Sequence, residues 1–543
     1  MAARRPGRTG RARLGMDYVR GNEQGSVSVP ASGDTARAST AQEATRKQIR
    51  GSSLLLIGRF LSLGVNFGIQ IMIVRYLSKA DYGAFAYALS IVSVGASIVS
   101  FGLDRSITRF IPIYEEDGEF DKLWGTIVMV VGTILSLSFA IVLLVYGLEG
   151  WLTGTLVSDR QAVSLLLIMI FLTPIQALDG LLVGMFAVFS KPRAIFFRRN
   201  VLAPALRLTV VLLLVLGEAG VEFLAAGYVA AGAVGIALYT FMLFRTLRQN
   251  GLIDRFHIGQ VKIPAREVFG FTVPLLASDL LFVTVHTSDV LLLGHYRGSV
   301  EVAEFRVVWP AAQLNQIVMG SFTLLFTPVA ARLFARKDYK GISDLYWQTA
   351  LWIAVLSFPI FALTFSLAEP LTSTLFGVRY EDSATYLTLL SLAYYFNAAL
   401  GFNGLTLKVF GKVRFIVVIS ILAAIVNIGL NLLLIPRYGA LGAAIGTAST
   451  LIAHNVMKQV GLRMGTGISL FQRRDAPVYL SIAAGAGILL IVHALFTPPF
   501  VVGLVLAAVI SLAVLALNRS ALRAAHTFPE LTRFRLFRII VGK

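Results

Sequence analysis

Residues 415–457 read FIVVISILAAIVNIGLNLLLIP, then RY, then GALGAAIGTASTLIAHNVM. The first stretch, 415–436, carries no charge and is long enough to cross a bilayer, for which about 20 predominantly apolar residues suffice. A second uncharged stretch, 439–457, follows after only Arg437 and Tyr438. Two apolar helices joined this tightly are antiparallel neighbours in a membrane, where each must satisfy its own backbone hydrogen bonds.

The same pattern recurs along the chain. Apolar segments at 52–76, 82–103, 125–147, 162–189, 200–217, 221–244, 268–295, 302–330, 347–366, 384–407, 415–436, 439–457, 477–497 and 500–517 predict about 14 transmembrane helices. Composition agrees: 56% of the 543 residues are hydrophobic and 14% are charged, against about 25% charged in soluble proteins. A soluble enzyme and a nucleic-acid-binding protein are excluded. The absence of cysteine excludes disulfides, thiol nucleophiles and iron–sulfur clusters. Residues 1–50 have no apolar run and no signal-peptide core, and read as a disordered basic tail. Met16 is a second candidate start.

Lys and Arg fall on alternate sides of these spans. The two tails and the loops after even-numbered spans hold 39 of the 48, three lie within spans, and the other loops hold only Arg75, Lys79, Arg160, Arg297, Arg379 and Arg437. The asymmetry places both termini in the cytoplasm. It makes the net charge of +19 mainly a topology signal with an attraction for anionic membrane lipids.

An internal repeat is legible. Val188-Phe-Ser-Lys-Pro-Arg193 is echoed by Val409-Phe-Gly-Lys-Val-Arg414, and Gly220 to Gly227 by Gly439 to Gly446. Phe110-Ile-Pro112 and Trp124 are echoed by Phe326-Thr-Pro328 and Trp347. Six spans per unit is an even number, so the two units share one orientation, the plan of rocking transporters with a site between the halves. The expected organisation is an all-α integral membrane protein with two parallel six-helix lobes, spans 1–6 (51–247) and 7–12 (267–465). A cytoplasmic linker (248–266) joins them; two extra helices (466–518) and a basic cytoplasmic tail (519–543) follow.

Four stretches carry a family resemblance. Gly51 to Gly83, with Arg75-Tyr-Leu-Ser-Lys-Ala-Asp-Tyr-Gly83, resembles the first helix and loop of bacterial polysaccharide repeat-unit flippases. So do Gly102-Leu-Asp-Arg-Ser-Ile-Thr-Arg109, Ser288-Asp-Val-Leu-Leu-Leu-Gly294 and Pro436-Arg-Tyr-Gly-Ala-Leu-Gly-Ala-Ala-Ile-Gly446. These flippases belong to the multidrug/oligosaccharidyl-lipid/polysaccharide exporter superfamily. The resemblance implies alternating access, a central cavity with basic residues and a polyprenyl-pyrophosphate-linked glycan as cargo. Membrane lipids and polysaccharide-assembly proteins are the implied partners, with no nucleic acid. No cofactor is expected.

Polar residues inside spans are candidate site residues, because charge in hydrocarbon is costly. Arg59, Asn66 and Gln70 fall on one stripe of span 1. They read as a cavity wall whose guanidinium suits a pyrophosphate, against Arg59 reaching the nearby interface. Asp279, His286 and Asp289 lie within an arc of about 80° on span 7 and read as ion- or proton-coupling groups. The alternative is that Asp289 pairs with Arg306 near the outer end. Arg207 and Asp179 lie well inside spans 5 and 4, as a structural ion pair or as substrate- and ion-binding groups. Arg306, Gln313 and Gln316 form a stripe on span 8. The i,i+4 pair Asn427 and Asn431 reads as interhelical hydrogen bonding, and Gly439, Gly442 and Gly446 as close helix packing. No histidine spacing suggests zinc, and the acidic loop Glu115 to Asp121 lacks EF-hand spacing.

Two other functions remain to weigh. A membrane glycosyltransferase or polymerase needs an extramembrane catalytic loop or domain, and the longest connection, near Arg245 to Val268, is too short for a nucleotide fold. A multidrug/cation antiporter of the same superfamily needs acidic cavity residues without compensating arginine, whereas three arginines lie inside spans.

Overall fold

The computed structural model describes residues 61–100, 102–153, 159–189 and 191–522, without the side chains of 192, 258, 274–282, 284–286 and 324–325. Arg59 and the side chains of Asp279 and His286 therefore lie outside the described residues. Within them, regular structure is helical throughout. The first half comprises α1 (Leu61–Tyr76), α2 (Lys79–Ser100), α3 (Leu103–Glu116), α4 (Phe120–Gly147), α5 (Arg160–Met169), α6 (Leu172–Val188), α7 (Arg193–Leu216) and α8 (Val221–Gln249). The second comprises α9 (Ala265–Arg297), α10 (Ser299–Gln313), α11 (Ile317–Ala335), α12 (Tyr339–Phe361), α13 (Ala368–Phe376), α14 (Ser383–Ala399), α15 (Asn403–Val409) and α16 (Val413–Thr466). Two further helices, α17 (Ala476–Phe496) and α18 (Phe500–Leu517), pair with each other and pack on α12.

Eight helices among the described residues are long and apolar enough to cross a membrane, or ten when each sharply bent pair counts as one span. α5 and α6 form one such pair, bent by 43°, and the run from Ser299 to Ala335 bends by 47°. Large apolar side chains stay exposed on the outward faces, among them Phe139, Leu216, Leu433, Leu495 and Leu517. Such a surface would be anomalous in water and is the surface a lipid-facing helix presents.

The quoted hairpin explains itself locally. The chain runs helically through Pro436 and breaks at Gly439, which has φ 57° and ψ −132°. A side chain there would collide with the Glu301 carboxylate, which accepts a hydrogen bond from the Ala440 N–H at 2.6 Å. Glu301 thus satisfies one of the donors left free where the second helix of the hairpin begins. Gly442 and Gly446 lie against Leu434 and Asn431 of the first helix, so these glycines do serve close packing.

α3 is amphipathic. Leu103, Ile107, Ile111 and Tyr114 are buried at intervals of three and four, while Asp104, Arg105, Arg109 and Glu115 take other faces. It follows the left-handed Gly102 and rests against the start of α9 through Phe110 and Phe271 and through Tyr114 and Glu267, whose carboxylate accepts the hydroxyl at 2.7 Å. The largest apolar core joins the halves, with Phe85 and Tyr87 from α2, Phe305 and Trp309 from α10, and Tyr380 and Tyr394 from the second half. α2 packs on both α9 and α10. Gly83 allows this, since a Cβ there would overlap the Ser299 carbonyl.

Candidate functional site

A cavity of about 460 Å³ lies among α1, α2, α6, α7, α8 and α10. Asn66 and Gln70 reach it from α1, Tyr82 from α2, Asp179 from α6, Arg207 from α7 and Arg306 from α10. Five of the residues singled out from sequence, Asn66, Gln70, Asp179, Arg207 and Arg306, therefore line one space. Its described walls include nothing from α9.

The first correction concerns Asp179. Its partner is not Arg207 but Arg198, at 2.8 Å. The Lys/Arg cluster at 191–199 reads as a cytoplasmic loop, yet α7 already begins at Arg193. A π-helical turn at Phe197–Leu202 interrupts it, and Arg198 is buried there. In a regular helix two residues nine positions apart point about 180° apart. The wider turn changes the phase, and Arg198 and Arg207 both line the cavity. Such turns recur at functional sites, but nothing in local composition announces this one.

The other arginines are held differently. Arg207 lies over the Tyr228 ring, 5.8 Å from its centroid. Arg306 donates to Ser90 Oγ at 2.8 Å and lies 5.0 Å from the centre of the Trp309 ring. The described charge of the cavity is three guanidinium groups against one carboxylate, and guanidinium does not lose its proton. Gln70 ties α1 across the space, donating to Tyr82 Oη and to the Val307 carbonyl, both at 3.3 Å. Asn66 turns back on its own helix, donating to the Ser62 carbonyl at 2.7 Å. Gln313 donates to Tyr394 Oη at 3.5 Å, and the helical stripe it shares with Arg306 is broken by a 3₁₀ turn at Leu314–Gln316.

The second correction concerns Asp289. It makes no ion pair with Arg306. Fully buried, it accepts from Thr447 Oγ1 at 2.6 Å and from Asn431 Nδ2. Asn427 Oδ1 accepts from Asn431 Nδ2 at 3.3 Å and from Ser288 Oγ at 3.0 Å. Asn431 Oδ1 is buried without a hydrogen-bond partner among the described residues. Asn427 and Asn431 do bond between helices, as the sequence suggested, and their target is an oxygen-rich cluster inside the second half.

Immediately beyond the cavity along α1, side chains from the two halves lock together. Arg379 donates to the carbonyls of Leu77, at 2.7 Å, and Val74. Arg75 reciprocates onto the carbonyls of Leu375, at 2.9 Å, and Thr374. Lys79 and Glu304 pair at 2.7 Å, and Ser299 bonds to Asp159. Carbonyls at the end of a helix lack intrahelical partners, and guanidinium forks from the opposite half supply them here. Three of the six basic residues on the sparsely charged side, Arg75, Lys79 and Arg379, make contacts of this kind; Arg297 instead bonds within the second half, to the Arg437 carbonyl at 2.9 Å.

The chain is similar to proteins of known or named kind. An uncharacterized membrane protein of Methanocaldococcus jannaschii is 23% identical over 419 residues, covering 74% of this chain and 81% of its own. The probable low-salt glycan biosynthesis flippase Agl15 of Haloferax volcanii is 20% identical, covering 75% of this chain and 82% of its own. Among solved structures, the lipid II flippase MurJ in an inward closed conformation superposes with a TM-score of 0.67 at 15% identity, over 88% of this chain and all of that one. That likeness speaks for the fold: an all-helical, multi-pass membrane architecture. The MatE family model matches residues 274–433. The model described as polysaccharide biosynthesis protein matches residues 49–334, more than half of the sequence, and the chain belongs to that family.

Proposed function

We propose that this protein moves a polyprenyl-pyrophosphate-linked oligosaccharide or polysaccharide repeat unit from the cytoplasmic to the outer leaflet of the cell membrane by alternating access. The observation that carries the reading is the excess of arginine in the cavity. A pyrophosphate cannot enter a low-dielectric space without cationic partners, and guanidinium forks match its oxygens. Asn66 and Gln70 supply neutral hydrogen-bonding groups beside them, and Arg59, outside the described residues, is the further cation that the sequence pattern offers. Family membership and similarity to proteins named as flippases support the same cargo class. In this reading the chain crosses the membrane fourteen times as two six-helix lobes and two extra helices, with both termini cytoplasmic. The clasp of Arg75, Lys79, Glu304 and Arg379 then closes the outer side. Its other partners are the surrounding membrane lipids and polysaccharide-assembly proteins.

An alternating-access carrier needs a driver that binds one state better than the other. We assign this role to Asp289, with Asp279 and His286 on the same helix, responding to a proton or a monovalent cation. Asp289 and the unpartnered Asn431 oxygen provide the oxygen ligands such an ion takes. Asp179 is the remaining candidate coupling group. The MatE match favours a cation antiporter as the second reading, but a cationic cargo would meet a cavity of its own sign.

The test is glycan export in cells carrying Arg207→Ala, Arg306→Ala and Arg59→Ala at matched protein levels. Truncating one partner of a buried charge pair costs about 2 kcal/mol or more, so each should lower export by roughly 30-fold, and Arg207→Lys should keep part of it. Normal export by all three neutral variants would refute the site.

A further inference from the structure

We propose that Asp179 is a built-in stand-in for the cargo: its carboxylate occupies Arg198 while the cavity is empty, and an incoming pyrophosphate displaces it. The inference rests on the flippase reading above. A carboxylate is out of place in an anion site, because it repels the ligand. It is explained by the needs of Arg198, whose side chain is only 8% exposed. A guanidinium that deeply buried cannot be left unpaired without a large cost.

The pair is asymmetric in a way that permits exchange. Arg198 is fixed. It sits on a π-helical turn, its Cζ lies 5.9 Å from the Tyr239 ring centre, and it lies flat against α8 because Gly235 has no Cβ to hold it off. Asp179 is 31% exposed and faces the open cavity, so its short side chain can turn away without rearranging a helix. Among the described residues, Arg198 Nε and Asp179 Oδ1 are both buried without a well-aligned hydrogen bond, so the 2.8 Å contact between the two side chains is an ion pair only. The arginine therefore holds a donor in reserve that the present carboxylate does not use. A pyrophosphate brings more charge and more acceptor oxygens than one carboxylate and can engage that donor as well. Arg207 and Arg306, by contrast, have no ion-pair partner among the described residues; they rest on Tyr228 and Trp309 and need no displacement. The consequence is selectivity: a weak anion cannot evict Asp179, and a polyanion can.

Calorimetric binding of geranylgeranyl pyrophosphate to the purified full-length protein in detergent tests this. Removing the competing carboxylate should tighten binding by about tenfold or more, the scale of a like-charge interaction at the effective dielectric of protein sites. Asp179→Asn should show that gain, Arg198→Ala should weaken binding, and Asp179→Asn should give no gain in the Arg198→Ala background. Unchanged or weaker binding by Asp179→Asn, with normal binding by the unaltered protein and loss in Arg207→Ala, overturns this inference alone. No binding by the unaltered protein and by every variant overturns the flippase reading together with it. Should Asp179→Asn fail to fold, Asp179→Ser removes the same charge with a smaller side chain, and its gain in affinity must likewise vanish in the Arg198→Ala background; no gain overturns the inference.

Discussion

Replacing Arg379 by alanine should shift the protein toward a state open on the clasped side. The guanidinium donates to the carbonyls of Val74 and Leu77, at the end of α1, from a residue some 300 positions away in the other half. A hydrogen bond to a charged group contributes about 1.5–3 kcal/mol. The site is only partly buried, and in the open state water takes over both carbonyls, so about 1 kcal/mol per bond is the net expectation. Two bonds lost together favour opening by about 2 kcal/mol, a population change of roughly 30-fold. The chain has no cysteine, which makes the measurement clean. Ser93 lines the cavity, and Ser93→Cys introduces the sole thiol. Its labelling by a membrane-impermeant maleimide added to intact cells should accelerate by about that factor when Arg379→Ala is added, and Arg75→Ala should act in the same direction. Equal labelling rates with and without Arg379 would refute the idea that these contacts hold the outer side shut.

Three other outcomes follow from the same geometry. Lys79→Glu should impair export by placing two carboxylates at the 2.7 Å ion pair with Glu304, and adding Glu304→Lys should restore much of it; no rescue would mean the pair has no role in closure. Gly439→Ala should lower the detergent melting temperature, because a positive φ with ψ near −132° costs a non-glycine residue about 1–3 kcal/mol and the new Cβ evicts Glu301 from the Ala440 N–H. Asp289→Asn should abolish the dependence of export on an imposed ion gradient while leaving pyrophosphate binding in the cavity intact; retained dependence would exclude Asp289 as the coupling group.

Membrane architecture was legible because the bilayer forces each crossing to be long, apolar and internally hydrogen-bonded. Residues 415–457 show this at its simplest, down to the glycines that let the hairpin close. Helix phase also let Asn66 and Gln70 be placed on one stripe, since 3.6-residue periodicity holds across a regular helix. Arg198 was hidden for the complementary reason. It sits in a basic run that resembles any cytoplasmic loop, and only an irregular turn at Phe197–Leu202 brings it to the cavity. The ion pairs offered as alternatives for Asp179 and Asp289 followed proximity in sequence, Arg207 and Arg306 being the nearest intramembrane cations, and the structure makes neither. The observed partners are set by how helices pack, with Asn431 and Thr447 reaching Asp289 from α16, more than 140 residues away. The Arg75 and Arg379 contacts were invisible as well: each looks like an ordinary loop charge until the halves meet.

The central claim is that the arginine-rich cavity carries an anionic lipid-linked glycan across the bilayer. Reconstitution into vesicles with a fluorescent polyprenyl-pyrophosphate oligosaccharide, followed by quenching from outside with dithionite, measures that movement directly. The account predicts protein-dependent translocation that collapses in Arg207→Ala and Arg306→Ala and is not inhibited by an excess of a lipophilic cation. Translocation indifferent to both arginines, or uptake of the lipophilic cation in place of the glycan lipid, would contradict it.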